Sequence, residues 1–339
     1  MPRPTLRDVA LKAGVSISVA SNALNNRGRV NAATRQRVKQ AAQEIGYVPS
    51  YSARRLRGEN GRSIGAVIAA SQEQVTSERY FSESAYAFGR TAAKADFKFH
   101  HVHLLENEFS ETQLYDALSD DAVDGVIMVA PPLTRLDAVL GAMERLPHIP
   151  YILFSASLDS PDVSYVDSDG KAGGRMAVRH FLDLGYLKIA YLAPPENNSN
   201  SLDRLQGCKE EMQRANLSLS SYSLDSWTAS PPLDEMLADQ IRAVVAFDDL
   251  CALRIISDLK RRGLRVPQDV AVIGFDDETF GQVMDPRLTT VYQPLSDMGT
   301  EAVGYLVRRL NGETTEPYRK VFPVRLIVRE SCGASLIAP

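Results

Sequence analysis

The chain has 339 residues, of which 44% are hydrophobic, and a formal net charge of -4. This length gives room for two or three domains, and the composition is that of a globular protein rather than a disordered or fibrous one. The N-terminus lacks the apolar run of a signal peptide, and the longest apolar stretches are too short for a membrane span. We therefore expect a cytoplasmic protein without membrane contact. Cys208, Cys251 and Cys332 are odd in number and widely spaced, which favours buried reduced thiols over disulfides or a zinc site.

The charge is distributed unevenly along the chain. Residues 1–62 carry twelve Lys and Arg against three Asp and Glu, a net charge of +9, whereas the remaining residues sum to -13. A small basic module on a large acidic body indicates that the first part binds a polyanion and the second does not. Nucleic acid is the favoured polyanion, although a basic surface that is simply solvated gives the same count.

Three short amphipathic helices are predicted within residues 1–48. Apolar residues recur at helical spacing over 6–13, 19–24 and 38–45. The predicted N-caps are Thr5, Ser16 and Asn31. Gly14 separates the first two helices, which predicts a helix-turn-helix unit completed by a third helix.

The second predicted helix has small or polar, uncharged side chains on its outer face. These residues are Ile17, Ser18, Ser21, Asn22 and Asn25. Such side chains can reach base edges in a major groove, where Asn pairs best with adenine and Ile packs on a thymine methyl. A DNA-reading helix is one interpretation. A small helical bundle with a wet surface fits the helical spacing equally well.

Three stretches of this region, TLRDVALKAGVS, VASNALN and VNAATRQRVKQAAQEIGYVPS, resemble the headpiece of the LacI/GalR family of transcriptional regulators. The resemblance implies positions at or near DNA for Leu6, Ser16, Ile17, Ser18, Ser21 and Asn22. Of these, Ile17, Ser18 and Asn22 match the positions that discriminate operators. We also expect Thr5, Asn25 and Asn31 to lie at the DNA surface. Many relatives have Ser at the position of Asn31 and Asn at the position of Ser50. Both residue types can cap a helix, so these differences are compatible with the resemblance.

Residues 49–62 form a basic linker between the two better-patterned regions. A helix of one or two turns is unstable alone in water, so we expect this segment to fold only on DNA. There its arginines would contact phosphates and Leu56 would insert between base steps in the minor groove. A flexible basic linker is the alternative. The resemblance implies a hinge helix, in which Ala53 makes the close approach. The residues expected at DNA in this segment are Ser50, Ala53, Arg54, Leu56 and Arg57.

From residue 63 onward, short apolar runs alternate with amphipathic segments. The runs are IGAVIAA (64–70), GVIMVA (125–130), YILF (151–154), IAYLA (189–193), AVVAF (243–247) and VAVIGF (270–275). This alternation predicts an α/β fold with parallel strands and crossover helices. The pattern occurs in two halves, which predicts two subdomains in an effector-binding and dimerisation core spanning 63–339. We assign about 63–160 and 293–320 to the N-subdomain, and about 161–292 and 321–339 to the C-subdomain.

Polar residues follow several of these runs. They are Ser155, Asp248 with Asp249, and Asp276 with Asp277. Ligands of open α/β sheets bind beyond the carboxyl ends of the strands, which predicts a small-molecule site between the subdomains. Carboxylates accept hydrogen bonds from adjacent hydroxyls, and Arg204 can donate to several oxygens, so a sugar or polyol is expected. Each acid taken alone is more commonly structural.

The stretches GLRVPQDVAVIGFDDE and DPRLTTVYQPLSDMG are similar to the core of the same family, whose architecture is that of periplasmic sugar-binding proteins. The resemblance implies effector-cleft positions for Tyr80, Phe81, Arg204, Trp227, Asp276 and Gln293. Many relatives have Asp in place of Ser155, Asn in place of Asp248 and Pro in place of Arg79. The identity of the effector therefore does not follow from the resemblance.

The favoured hypothesis is an effector-controlled repressor that binds palindromic double-stranded operator DNA as a homodimer. Two half-sites read by a two-fold pair supply specificity that one small module lacks. A nucleobase, a nucleoside or a phosphorylated metabolite is an alternative effector. A solute-binding protein for transport would need no headpiece, and the motifs of common enzyme classes are missing. We expect no cofactor and no metal, because nothing completes a site around His101 and His103.

Overall fold

The structure is a computed structural model, and it describes residues 4–24, 28–45, 47, 62–68, 79–104, 110–119, 123–193, 199–224 and 230–334. The chain divides into two compact units, residues 1–61 and residues 62–339. Each unit has its own hydrophobic core.

In its described residues the first unit contains the helices α1 Leu6–Ala13, α2 Ile17–Leu24 and α3 Ala32–Glu44. All three predicted caps are confirmed. Thr5 forms a capping box with Asp8 at the start of α1. The Ser16 hydroxyl and the Asn31 side-chain oxygen each accept from the backbone N–H three residues on, at 3.2 and 2.7 Å. Gly14 ends α1 with φ of 62°, a left-handed conformation that glycine adopts without steric cost.

The core of the first unit is built mostly from alanine side chains. Its buried residues are Val9, Ala10, Ala13, Ala20, Ala23, Val38, Ala41 and Ala42. Two polar contacts join α1 to α3: Arg37 Nε donates to the Ala13 carbonyl at 3.0 Å, and Lys12 pairs with Glu44 at 2.9 Å. Larger hydrophobic residues pack around this core from partly buried positions: Leu6, Val15, Leu24, Val30, Ile45 and Tyr47. Because methyl groups bury little area and the larger side chains are only partly buried, this unit depends more on caps and local contacts than a large core does.

The second unit contains two six-stranded sheets. The first sheet contains β1 Ser63–Ile68, β2 Lys98–His103, β3 Gly125–Val129, β4 Tyr151–Phe154, β5 Tyr165–Ser168 and β11 Arg319–Phe322. The second contains β6 Ile189–Ala193, β7 Ser220–Ser223, β8 Ala243–Ala246, β9 Ala271–Phe275, β10 Thr289–Tyr292 and β12 Arg325–Ile327. The strand orders are β11-β5-β4-β3-β1-β2 and β12-β10-β9-β8-β6-β7, and only the β10–β12 pair is antiparallel among the described strands. The predicted α/β fold class is confirmed, and all six apolar runs form strands.

The helices of the second unit cover both faces of the sheets. They are α4 Arg79–Lys94, α5 Glu111–Ser119, α6 Leu136–Arg145, α7 Gly170–Asp183, α8 Ser199–Arg214, α9 Leu233–Ala238, α10 Asp249–Arg261 and α11 Leu295–Leu310. Helices α4 and α11 pack on one face of the first sheet, and α5 and α6 pack on the other. Burial on both faces explains why the central strands are continuous apolar runs.

The chain crosses between the sheets three times, after β5, after β10 and after β11. We call the parts built on the first and second sheets the first and second subdomains. Strand β5 belongs to the first sheet, so the predicted boundary near residue 160 is too early, and the crossing follows Ser168. Likewise, β11 carries the first subdomain past residue 320 to Phe322. The boundary was misplaced because β5 is short and ends in buried polar residues, which give no apolar signal.

Cys208, Cys251 and Cys332 are buried and free, which confirms the prediction of reduced thiols. Burial raises the pKa of Cys208 to about 12, so this thiol stays protonated. None of the helices in the described part of the chain combines the length and apolarity needed to cross a bilayer. Over the same residues, no cluster of three His, Cys, Asp or Glu is arranged to hold a metal ion.

Candidate DNA-binding and effector-binding sites

The outer face of α2 presents the uncharged side chains that the sequence predicted for a DNA surface. Ile17 is 50% exposed, Ser18 is exposed, and Ser21 and Asn22 are partly exposed. The opposite face of α2 is buried against α1 and α3. The unit therefore holds these side chains outward on a fixed helix, as base contacts in a groove require.

The other predicted DNA-contacting residues of the headpiece lie at helix ends. Thr5 and Ser16 are exposed caps of α1 and α2, Asn31 is the exposed cap of α3, and Leu6 is half-buried against the headpiece core. Helix N-termini carry partial positive charge, which suits neighbouring phosphates. The predictions for Asn25, Ser50, Ala53, Arg54, Leu56 and Arg57 lie outside the described residues.

In the second unit, close packing of α8 on α7 sets the position of Arg204. A Cβ at Gly174 would collide with the Arg204 carbonyl oxygen, and one at Gly207 would collide with the Lys171 carbonyl oxygen. These two glycines therefore allow the helix backbones to approach closely. This approach places the Arg204 side chain at the carboxyl ends of β8 and β9.

Arg204 is a buried cation, only 3% exposed. Its Nη1 donates to the Phe247 carbonyl at 2.5 Å, and its guanidinium lies 3.7 Å from the centroid of the Phe275 ring. Its Nη2 lies 3.6 Å from Asp276 Oδ1. Its Nε is buried and has no hydrogen-bond partner among the described residues. The side chain is thus fixed by protein contacts while one donor stays unused.

A chain of buried side chains links the two subdomains at this point. Ser168 Oγ donates to Gln293 Oε1 at 2.5 Å, and Gln293 Nε2 donates to Asp276 Oδ1. Ser168 ends β5 of the first sheet, whereas Asp276 follows β9 of the second. Together with Arg204 these residues form a continuous polar network across the subdomain boundary.

Two further carboxyl groups lie close to this network. Asp248 caps α10 by accepting from Cys251 N at 2.6 Å, and Asp167 accepts from Ser168 N at 2.8 Å. Burial raises the pKa of each to about 7, and the negative charge of Asp276 adds to the rise at Asp248. Burial also raises the pKa of Asp276 itself. These shifts show that negative charge is crowded into a poorly solvated region.

Ser155 and Tyr80 of the first subdomain lie beside the same polar network. Ser155 follows β4 with φ of 51°, and its carbonyl accepts from Asn200 Nδ2 of α8 at 2.9 Å. The hydroxyls of both Ser155 and Tyr80 are buried, and neither forms a hydrogen bond of regular geometry within the described residues. The two hydroxyls lie close enough together for Ser155 to offset part of the rise that burial causes in the pKa of Tyr80. The Tyr80 ring packs edge-on against Phe81 at 4.9 Å, and Phe81 in turn packs on the first core.

The structure therefore gathers most of the predicted effector residues at one point. They are Tyr80, Ser155, Arg204, Asp248, Asp276 and Gln293. Phe81 supports Tyr80 from the hydrophobic side. The prediction for Trp227 lies outside the described residues.

The sequence analysis missed a second set of contacts across the subdomain boundary. Arg79, the first residue of α4, donates through Nη1 to the carbonyls of Asp276 and Asp277, at 2.7 and 3.1 Å. The Glu278 carboxylate accepts from the backbone N–H groups of Arg79 and Tyr80, at 2.8 and 3.0 Å. Glu278 of the second subdomain thus caps a helix of the first. The acidic run directly after β9 was the signal that could have shown it.

Two of the strand-end acids instead hold the fold together. Asp249 accepts from Thr290 Oγ1 at 2.6 Å and from Glu278 N at 2.7 Å. Asp277 pairs with Arg329 at 2.5 Å. Both carboxylates fix the loop after β9, and so they position Asp276 and Glu278.

An outward-facing helix-turn-helix surface and a buried polar network between two α/β subdomains define a DNA-binding protein that responds to a small molecule. Sequence comparisons agree. The family model described as bacterial regulatory proteins, lacI family, matches residues 5–50, and a periplasmic binding protein-like domain matches residues 178–332. The HTH-type transcriptional regulator CelR of Thermobifida fusca is 34% identical over 340 residues, covering 97% of this chain and 98% of CelR. The HTH-type transcriptional repressor CytR of Escherichia coli K12 is 28% identical, covering 97% and 96%.

Solved structures give the same result. The complex of the transcriptional regulator CelR with cellobiose matches with a TM-score of 0.74 and 31% identity, covering 97% of this chain and 100% of that one. The Lac repressor dimer bound to operator and the anti-inducer ONPF matches with a TM-score of 0.83 and 25% identity, covering 98% and 99%. The chain belongs to the LacI family of bacterial transcriptional regulators, which confirms the resemblance. It is a DNA-binding regulator of transcription and not an enzyme.

Proposed function

We propose that this protein is a cytoplasmic, homodimeric repressor whose operator affinity is controlled by a sugar or polyol bound between its two subdomains. The observation that carries the proposal is the buried network of Ser168, Gln293, Asp276 and Arg204, which joins both subdomains. A ligand that bonds to this network contacts both subdomains at once. It can therefore favour one of their relative orientations.

The unused polar atoms support a polyhydroxy ligand. Arg204 Nε and the hydroxyls of Ser155 and Tyr80 are buried without a regular hydrogen bond among the described residues, and each can bond to a sugar hydroxyl. Asp248 and Asp276 supply carboxylate oxygens, which accept from hydroxyl donors. CelR, which is similar over nearly the whole chain, has been solved with cellobiose, and this supports a saccharide effector.

Contacts across the subdomain boundary provide the route from effector to DNA. The bonds from Arg79 to the carbonyls after β9, and those from α4 to Glu278, depend on the present orientation of the subdomains. Rotation of one subdomain on the other would break or strengthen them. In a homodimer the same rotation would change the spacing of the two chain segments that enter β1, and so the alignment of two headpieces on one palindrome.

On the DNA side, Ile17, Ser18 and Asn22 are proposed to read base edges. The solved Lac repressor, a dimer on its operator, supports the assignment of a dimer on palindromic DNA. The sequence-based predictions for the basic segment at 50–57 are part of this proposal, with Leu56 as the residue that inserts into the minor groove.

The DNA-binding proposal is tested by selecting duplexes from a random library with the full-length protein. We expect a palindrome to be enriched. Asn22→Ala should weaken binding to that palindrome by about 1–3 kcal/mol and relax preference at one base pair of each half-site. Gln36→Ala, at an exposed position of α3, is the matched control. Enrichment without any palindromic preference would contradict the proposal.

The effector proposal is tested by titrating saccharides against the protein–operator complex and following fluorescence anisotropy. Ser155→Ala removes a hydroxyl that forms no regular hydrogen bond with the described residues, so it should lower saccharide affinity about tenfold while leaving stability nearly unchanged. Ser218→Ala, at an exposed position before β7, should change neither. If no small molecule in a broad panel alters operator affinity, effector control is wrong.

A further inference from the structure

The strand ends between the subdomains hold more negative than positive charge. Three of the described cations there are already engaged: Arg204 lies 3.6 Å from Asp276, Arg79 pairs with Glu83 at 2.5 Å, and Arg329 pairs with Asp277 at 2.5 Å. Arg254 of α10 is close enough to Asp248 to lower its pKa, but the two residues form no salt bridge. Asp167 and Asp248, in contrast, accept hydrogen bonds from backbone N–H groups and form no salt bridge within the described residues. Two carboxyl groups are therefore buried beside the network without a paired cation.

The buried atoms without a regular hydrogen bond are suited to neutral ligand groups. Ser155 Oγ and Tyr80 Oη can each donate to or accept from a hydroxyl, and Arg204 Nε can donate to one. The positive charge of Arg204 is offset by Asp276 and covered by the Phe275 ring, so this arginine is not a free anion site.

We infer that the cleft admits uncharged and ammonium-bearing saccharides and rejects saccharides that carry a carboxylate or a phosphate. This inference rests on the proposed function, because it concerns the charge of the effector that binds at the proposed site. A ligand anion about 6 Å from one ionised carboxylate, in surroundings of intermediate dielectric constant, would lose about a hundredfold in affinity. A ligand ammonium group would gain from the same carboxylates.

A charge series on a common scaffold tests the inference. The probes are cellobiose, the glucosamine disaccharide, cellobiouronic acid and cellobiose 6'-phosphate, with the four corresponding glucose compounds. Binding to the full-length protein is measured by calorimetry at pH 8, where carboxyl groups with a pKa of about 7 are mostly ionised. We expect the neutral or amino member to bind, and the uronate and phosphate to bind about a hundredfold more weakly. If an anionic member binds as tightly as its neutral parent, or binds when the neutral parent does not, the inference is wrong.

Charge-neutralising variants separate electrostatic rejection from shape. Asp167→Asn with Asp248→Asn preserves size and one acceptor oxygen on each side chain, so the uronate and the phosphate should recover affinity relative to the neutral sugar. Asp137→Asn, at an exposed position of α6, removes a distant charge and should leave the discrimination unchanged. Equal discrimination in the double variant and the parent would show that shape excludes the anions, and would overturn the inference. The proposed function is judged separately, by whether any small molecule changes operator affinity.

Discussion

The two functional regions of this protein place their side chains in opposite environments. In the headpiece, Ile17 is 50% exposed, and the helix that carries it is fixed by its cap and by a small apolar core. In the polar network between the subdomains, Arg204 is 3% exposed, and it is held by groups from distant parts of the chain. A surface that reads DNA can be built locally, because its side chains must stay free. A pocket that transmits a signal must be built from both subdomains, because its contacts have to depend on their orientation.

This difference predicts that substitutions of paired residues in the buried network change stability and effector response together, whereas substitutions on the outer face of α2 change DNA binding alone. Replacing the buried cation should show the largest effect. Arg204→Ala leaves Asp276 and its neighbouring acids without a counter-ion, so we expect the free energy of unfolding to fall by about 3–5 kcal/mol. Urea unfolding of the full-length protein measures this change.

The matched control for that substitution lies on the same helix. Arg214→Ala removes an exposed partner of Glu211, which keeps its contact with Arg179, so the loss should be under about 1 kcal/mol. Equal losses for the two variants would contradict the distinction between the cleft and the surface.

A second substitution tests whether helix packing, rather than the arginine alone, builds the cleft. A Cβ at Gly207 would collide with the backbone of α7, so Gly207→Ala should destabilise the protein by about 1–3 kcal/mol and displace Arg204. Effector affinity should fall with stability. A Cβ at Gly89 would make an ordinary 3.6 Å contact with Phe99. Gly89→Ala should therefore be neutral or stabilising by up to about 1 kcal/mol, and a comparable loss there would argue against the packing explanation.

The buried acids predict a pH dependence opposite in sign to that of the headpiece, where hydrogen bonds with Thr5 and Lys12 lower the pKa of Asp8 and Glu44. The pKa values of Asp167 and Asp248 are about 7 in the folded protein, against an ordinary value of 3.8. The folded state therefore keeps protons that the unfolded chain has lost, and its stability falls as the pH rises from about 4 to about 7. The melting temperature of the second unit should be higher at pH 5 than at pH 8.

The double variant Asp167→Asn with Asp248→Asn isolates this contribution. Its melting temperature should depend less on pH than that of the parent, measured by differential scanning fluorimetry. Burial lowers the pKa of His180, so this residue destabilises the folded state as the pH falls below its ordinary value of 6.5. This effect is opposite to that of the two acids, and it is the same in the parent and the double variant. Identical pH profiles would show that the two acids do not carry the effect.

The smallest effect is expected in the headpiece. Asn31→Ala removes the cap of α3 and should cost about 1 kcal/mol, whereas Asn31→Ser keeps a capping oxygen and should cost little. Hydrogen exchange of the α3 amides in the full-length protein measures the difference. Unchanged protection in the alanine variant would show that tertiary contacts, not the cap, hold this helix.

Sequence patterns predicted the elements whose causes are local. Thr5, Ser16 and Asn31 were correct as caps because capping depends on residues three positions apart. The six apolar runs were correct as strands because a strand buried on both faces must be apolar. Strand β5 was missed because Asp167 and Ser168 are buried by contacts with other parts of the chain, and no periodicity within four residues indicates this.

Within the candidate site, Asp276 was predicted from its strand-end position and Arg204 from its side-chain chemistry, and the family resemblance supported both. Gln293 was predicted from the resemblance alone, and the structure adds how the three residues are connected. Ser168 and Glu278 were missed because their roles depend on partners more than a hundred residues away. Asp249 and Asp277 were equal candidates by position, and only their partners Thr290 and Arg329 show that they support the loop.

The sequence by itself determined the helix caps, the strand cores, the charge division between headpiece and body, and the family. These features follow from neighbouring residues or from composition, so they need no knowledge of the fold. Only the tertiary structure decided which polar residues meet between the subdomains and which acids are left without a paired cation. The physical reason is that burial and pairing of charge depend on distances between residues far apart in the chain, and folding alone sets those distances.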